Sequence, residues 1–139
     1  MPANYEFNLD HGVIEVSAWD IVTLGDYESY LAEVTAVPHN LRGAIEYVDL
    51  GQAAEVRICE HGALQVAHYY ENLIARGLRG TVIHAATDAL YEAAKTMVAT
   101  FDAMGGILPD GYRLTRSPLA ISEVPRFLLG MPEEERLVA

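Results

Sequence analysis

Arg79-Gly80-Thr81-Val82-Ile83-His84-Ala85-Ala86-Thr87-Asp88, with the amphipathic run that follows it to Met104-Gly105-Gly106, decides the fold. Thr81 to Ala86 is a short apolar run of the kind that fills a buried strand. Thr87-Asp88 supplies side-chain oxygens for the first turn of a helix. Leu90, Ala93, Ala94, Met97, Val98, Phe101 and Met104 then recur at helical spacing, and Gly105-Gly106 stops the run. A strand leading directly into a helix is the repeating unit of an α/β fold.

The same unit recurs on both sides. Upstream, Ala63, Val66, Ala67, Tyr70, Leu73, Ile74 and Gly77 make a helical stripe with glycine placed for its C-terminal cap. Before it, Arg42 to Leu50 reads as a strand through Ile45, Tyr47 and Val48. Between the two, Gly51 to Gly62 suits a short strand, an extended loop or an early helical turn. Gly25-Asp26 opens the first helix, with Asp26 as acceptor for a first-turn amide; Tyr27, Tyr30, Leu31 and Val34 share one face, and Pro38 ends the helix. At the start, Tyr5-Phe7-Leu9 and Val13 to Trp19 flank the turn Asp10-His11-Gly12 as a β-hairpin. Downstream, Tyr112 to Arg116 reads as a polar edge strand, and Ser122 to Leu129 as a short helix with Pro125 in its first turn. The order β-β-α-β-α-β-α-β-α predicts a five-stranded, mostly parallel sheet with an antiparallel N-terminal edge strand. Residues 1–130 make a single domain, and 131–139 an acidic C-terminal tail.

Composition narrows the function classes. Twenty acidic residues against nine basic ones give a net charge of −11, and Lys95 is the only lysine. Such a surface repels phosphate backbones, so nucleic acid is not an expected partner; the charge serves solubility. The single cysteine, Cys59, excludes an internal disulfide framework. Met1 to Glu6 carries no signal-peptide pattern, and no apolar run approaches the roughly 20 residues of a membrane helix, so a soluble cytoplasmic protein is expected without membrane contact.

Several residues bear chemistry. Cys59-Glu60-His61 is the densest cluster; a reactive thiol there needs a third, orienting group that the sequence does not supply, and free cysteine favours burial. His61 and His68 lie seven apart with Glu71 near them. Two helical turns (~10 Å) separate the rings, too far for one zinc ion, so a solvated helix face is expected and neither metal nor cofactor. Tyr69, off the apolar stripe, is a candidate partner anchor. Glu46 and His84 stand in interior strands, where both faces are often apolar. They suggest an incompletely covered sheet face, and a Glu–His pair that either exchanges protons or forms a structural ion pair. Arg79-Gly80 and Gly105-Gly106 lack the spaced glycines and lysine of a phosphate loop.

The strand closing on Val48-Asp49-Leu50, the helix ending Leu73-Ile74-Ala75-Arg76-Gly77, the strand into Thr87-Asp88-Ala89-Leu90-Tyr91 and the last helix from Ser122 to Leu129 together resemble the STAS fold (sulfate transporter and anti-sigma-factor antagonist) in its SpoIIAA-like branch. The resemblance covers roughly Tyr5 to Gly130. It implies strands in sequential order, helices mainly on one face, and action through protein contacts. It also implies a Ser or Thr, phosphorylated by a kinase, just before the second helix. Here Asp49-Leu50 match the family's Asp-Leu-Ser, but Gly51 replaces the serine, and no hydroxyl residue stands from Gly51 to Gly62. That switch has no acceptor in this chain. The expectation is a non-enzymatic STAS-like regulatory or protein-interaction module, self-associating as a homodimer. The alternatives are a binding module for a nucleotide-like or lipid-like small ligand and, last, an enzyme using Glu46 with His84.

Overall fold

The structure, a computed structural model, describes residues 3–8, 10–36, 41–57, 60–103 and 108–130, apart from the side chains at 60, 61, 63, 64, 101 and 102. The elements are β1 (Ala3–Asn8), β2 (Val13–Thr23), α1 (Leu24–Ala36), β3 (Ile45–Arg57), α2 (Glu60–Ala75), β4 (Gly80–His84), α3 (Asp88–Ala103), β5 (Tyr112–Thr115), a 3-10 turn (Ile121–Glu123) and α4 (Val124–Leu128). The five strands form one sheet in the order β1-β2-β3-β4-β5. β1 runs antiparallel to β2 and every other neighbour is parallel, as the order of elements requires. Pro38, Gly105-Gly106 and the tail 131–139 lie outside the described residues.

Alternation along the strands sorts side chains between two faces. Ile14, Val16, Ala18, Val48 and Leu50 join Tyr30, Leu31 and Val34 of α1 and Val66, Tyr70 and Leu73 of α2 in the main core. Val13, Ile45, Tyr47 and Val82 point the other way and meet Val124 and Leu128 of α4 in a smaller core. Three long helices thus share one face, and the short α4 covers part of the other. The segment before α4 is tied to that second face by the Leu119 amide, which donates to the Tyr47 hydroxyl at 3.0 Å.

Several boundaries differ from the sequence reading or settle what it left open. α1 starts earlier, at Leu24, because Thr23 rather than Asp26 is its cap. The Asp26 amide donates to Thr23 Oγ1 (3.4 Å), and the Thr23 amide donates back to Asp26 Oδ2 (2.9 Å). This is a reciprocal capping box with Asp26 inside the first turn. α2 already begins at Glu60, one of the alternatives open for Gly51 to Gly62. The ambiguous segment after Gly51 is strand as far as Arg57, because it pairs with an equally prolonged β2. β1 reaches only Ala18 and β4 only Asp49, so Trp19–Thr23 and Gln52–Arg57 pair with each other alone, as a two-stranded ribbon. Two register shifts interrupt that pairing, and Asp20 between them takes φ 55°.

The turn after α2 locks the helical layer to the sheet. The Leu78 amide donates to Leu73 O and the Gly77 amide to Ile74 O, both at 3.0 Å, a Schellman end with Gly77 at φ 112°. A β-carbon at position 77 would lie 2.4 Å from Arg42 Cα. Gly43, at φ 78°, has nothing within 4 Å of the equivalent point. Gly77→Ala therefore adds a backbone collision to the left-handed strain that Gly43→Ala incurs alone. Urea unfolding is expected to show a cost of about 1–2 kcal/mol for Gly43→Ala and a larger one for Gly77→Ala; equal losses would contradict the close approach.

Candidate functional site

Glu46 occupies an even position of β3 and so faces the helices, where it is wholly buried. Tyr30 of α1 donates to Oε2, Tyr70 of α2 donates to Oε1 at 2.6 Å, and Thr81 of β4 donates to Oε1 at 3.0 Å. Since the Tyr70 proton is given to Glu46, Tyr27 must donate across its 2.5 Å contact with the Tyr70 oxygen. Among the described residues, no basic side chain forms an ion pair with this carboxylate. Burial pushes the Glu46 carboxyl above its ordinary range, and the three hydroxyl donors oppose that shift without cancelling it. Burial first, and the Glu46 charge second, hold the Tyr27, Tyr30 and Tyr70 hydroxyls well above the usual phenol range. Both carboxylate oxygens are occupied and closed off from solvent. What the cluster does is hold two helices and two strands to one point.

His84 is not part of it. The register pairs Glu46 with Thr81 and Asp49 with His84, three residues farther along each strand. An odd step reverses the face, so Glu46 and His84 stand on opposite sides of the sheet, and the expected Glu–His pair does not form. The enzyme reading built on that pair loses its geometry. The partner of His84 is Asp49, whose Oδ1 lies 2.8 Å from Nδ1 and also accepts the Gly51 amide at 2.8 Å. In a neutral ring this contact places the proton on Nδ1. Nε2 is buried without a hydrogen-bond partner among the described residues, and the residue is 5 % exposed. A β-carbon on residue 51 would fall 2.9 Å from Asp49 Oδ1 and 3.0 Å from His84 Cε1. A side chain at position 51 would therefore have to displace the pair beside it.

The other candidates are dispersed. Cys59 lies outside the described residues; His61 belongs to α2, but its side chain is likewise outside them. His68 is exposed and sits 3.7 Å from Glu71. It lines an open groove of about 290 Å³ together with the half-buried Tyr69, Asn72 and Thr35. Among the described residues, no three His, Cys, Asp or Glu side chains gather in a metal-binding group.

Two features escaped the sequence reading. The first is the tyrosine shell of Glu46: Tyr30 and Tyr70 read as apolar stripe, although a buried phenol needs a hydrogen-bond partner and Glu46 was the strand carboxylate at hand. The second lies on the face opposite the three long helices. α4 packs on β3, β4 and β5 there and leaves β1 and β2 largely open. Glu6 and Glu15 sit directly across from each other on this open half, a like-charge pair. Beyond them, at odd positions of β2, Trp19 and Ile21 are 38 % and 39 % exposed.

No family model, no curated protein and no solved structure matches the chain. Among the described residues, no helix is long and apolar enough to cross a membrane.

Burial raises the Glu46 pKa, and that direction fixes a pH dependence. Folded protein holds this proton more tightly than unfolded chain, so the contribution is fully present below the unfolded value of ~4.3 and is lost as pH rises through the folded value. Glu46→Gln does not titrate. Urea unfolding of both proteins at pH 4 and pH 7.5 (~ values, either side of a free glutamate) should show wild type losing stability relative to the variant as pH rises; a gap that widens in favour of wild type would contradict the burial of the charge. Separately, Gly51→Ser should cost about 1–3 kcal/mol by overpacking against Asp49 and His84, read in the same assay; a neutral effect would mean that the pair is loosely held.

Proposed function

We propose that the chain is a small STAS-like, non-enzymatic cytoplasmic module that works through protein contacts and self-associates as a homodimer. The observation that carries this reading is the apolar pair Trp19 and Ile21, exposed on a ribbon that extends past the rest of the sheet. Tryptophan is the residue type most enriched at binding hot spots, and an isolated two-stranded ribbon gains stability when something packs on it. The register shifts around Asp20 bend the ribbon and re-aim its side chains, a device found next to functional surfaces. The family resemblance of the motifs ending at Leu50, Gly77, Tyr91 and Leu129 favours protein contact over catalysis. The missing hydroxyl between Gly51 and Gly62 favours control by something other than phosphorylation of that loop. The lone Cys59 suits a reducing compartment.

The acidic neighbours of the ribbon give self-association a signature. Two copies meeting on this face bring Glu6 and Glu15 of each toward the other, so added salt should tighten the dimer by screening that repulsion. Sedimentation equilibrium across a dilution series and at two salt concentrations is the test. Expected are a monomer–dimer equilibrium strengthened by salt and a loss of about 2 kcal/mol, roughly thirtyfold, in Trp19→Ala. A monomer under all conditions, or a dimer indifferent to Trp19, would refute the reading.

A further inference from the structure

The chain turns back over the sheet as soon as β5 ends. Thr115, the last residue of β5, stands beside His84. Its hydroxyl donates to Ser117 O at 2.9 Å and accepts the Ser117 amide at 3.2 Å. Two residues on, the Leu119 amide donates to the Tyr47 hydroxyl of β3 at 3.0 Å. Residues 117–120 therefore run from β5 across β4 as a strap, on the face that carries His84. α4 lies at the other end of the strands: a β-carbon at Gly80, the first residue of β4, would meet Leu128 Cδ2 at 2.5 Å. His84, the last residue of β4, lies under the strap, with 6 % of its side chain exposed. The strap itself is lightly packed. Ser117, Pro118 and Ala120 are exposed, and Leu119 is half-buried. A segment with so few buried side chains opens locally at low cost.

We infer that the strap is a proton-operated cover, closed over the neutral His84 ring and lifted from the charged one. This regulation goes beyond protein contact and does not depend on it. In the neutral ring Nδ1 gives its proton to Asp49, and Nε2 carries a lone pair. A second proton goes to Nε2, which is buried with no partner among the described residues. A tolerated acceptor thus becomes a charged donor short of an acceptor, a far costlier group to bury. On the other side of the ring the Asp49 contact gains strength from the charge. Asp49 Oδ1 also accepts the Gly51 amide, so the pair stays anchored to β3. The sheet side of the ring is fixed, and the strap is what yields; lifting it gives the Nε2 proton to water. The titratable groups on this face come from several elements. β3 brings Asp49 and Tyr47, β2 brings Glu15 opposite Tyr47, and the 3-10 turn brings Glu123, which bears on Tyr47 and accepts the Ala120 amide. These carboxylates carry charge opposite to an imidazolium. β5 brings Arg113, which lies over the Phe127 ring, and α4 brings Arg126. Arg116 turns away to Asp88 and Ala86 O, and the strap carries no titratable side chain.

NMR of the intact chain between about pH 8 and about pH 5, the span in which histidines change charge, tests the cover. The ring nitrogens of His84 follow the proton. The protection factor of the Leu119 amide, which already discounts the pH dependence of free-amide exchange, follows the strap. Leu119 protection should fall at least about tenfold, the cost of one unpaired buried donor, with the same midpoint as His84 protonation. The Val48 and Val82 amides in the sheet should keep theirs. His84→Gln takes up no second proton, so its Leu119 protection should stay level across the interval. Four results overturn the inference: a charged His84 beneath an unchanged Leu119, a His84 still neutral at the lower pH, a loss shared equally by Val48 and Val82, or a fall that persists in folded His84→Gln. Should that variant not fold, the wild-type midpoints decide: coincidence supports the cover, and separation overturns it.

Discussion

A carboxylate buried with no cation among the described residues is the constraint on which the helical layer depends. Removing such a group from water costs several kcal/mol even after relaxation. Hydrogen bonds to a charged group return about 1.5–3 kcal/mol each, and Glu46 receives three, from Tyr30, Tyr70 and Thr81. The two effects are of similar size, and the upward shift of the carboxyl says that desolvation keeps the edge. Net stabilisation is therefore small, but specificity is high. α1, α2, β3 and β4 must all be correctly placed for the acceptors to be filled, and a misplaced helix leaves a buried charge short of donors. Tyr27 adds a second donor layer behind Tyr70.

The sheet separates the protein's two polar clusters. Glu46 and its phenols belong to the thick, three-helix side; Asp49, His84 and the Gly51 amide belong to the side that α4 partly covers. The Glu46 cluster satisfies itself within its own layer, whereas His84 Nε2 on the other side has no partner among the described residues. Asp49 alone among these acids is substantially exposed, with 41 % of its side chain accessible. The accessible feature is of another kind, an apolar ribbon tip beside an acidic strand pair. It suits recognition of apolar surface, which is why the proposed function is binding and not turnover.

The order of elements was legible in the sequence because each helix carries a clean stripe and each stop has its residue, with Gly77 the clearest case. The ribbon was not. Gly51, Gln52, Ala53 and Ala54 have little strand preference of their own; they are extended because β2 lies beside them, and strand propensity is mostly such context. That Glu46 and His84 are buried was readable from their place in apolar strands. Their partners were not, since a shift of one residue in pairing would exchange the faces, and register is set by packing between strands rather than within them. The cap of α1 was misread for a related reason: Thr23 and Asp26 both offer oxygens, and which one precedes the helix depends on where β2 ends.

The hydroxyl protons of Tyr30, Tyr70 and Thr81 report on the central cluster directly. Proton NMR of the folded chain at neutral pH should detect them as separate, slowly exchanging resonances, with nuclear Overhauser contacts linking the Tyr70 and Tyr27 protons. Hydroxyl protons that exchange too fast to be seen would mean that water reaches Glu46, and the account of a sealed, cation-free carboxylate organising this fold would be wrong.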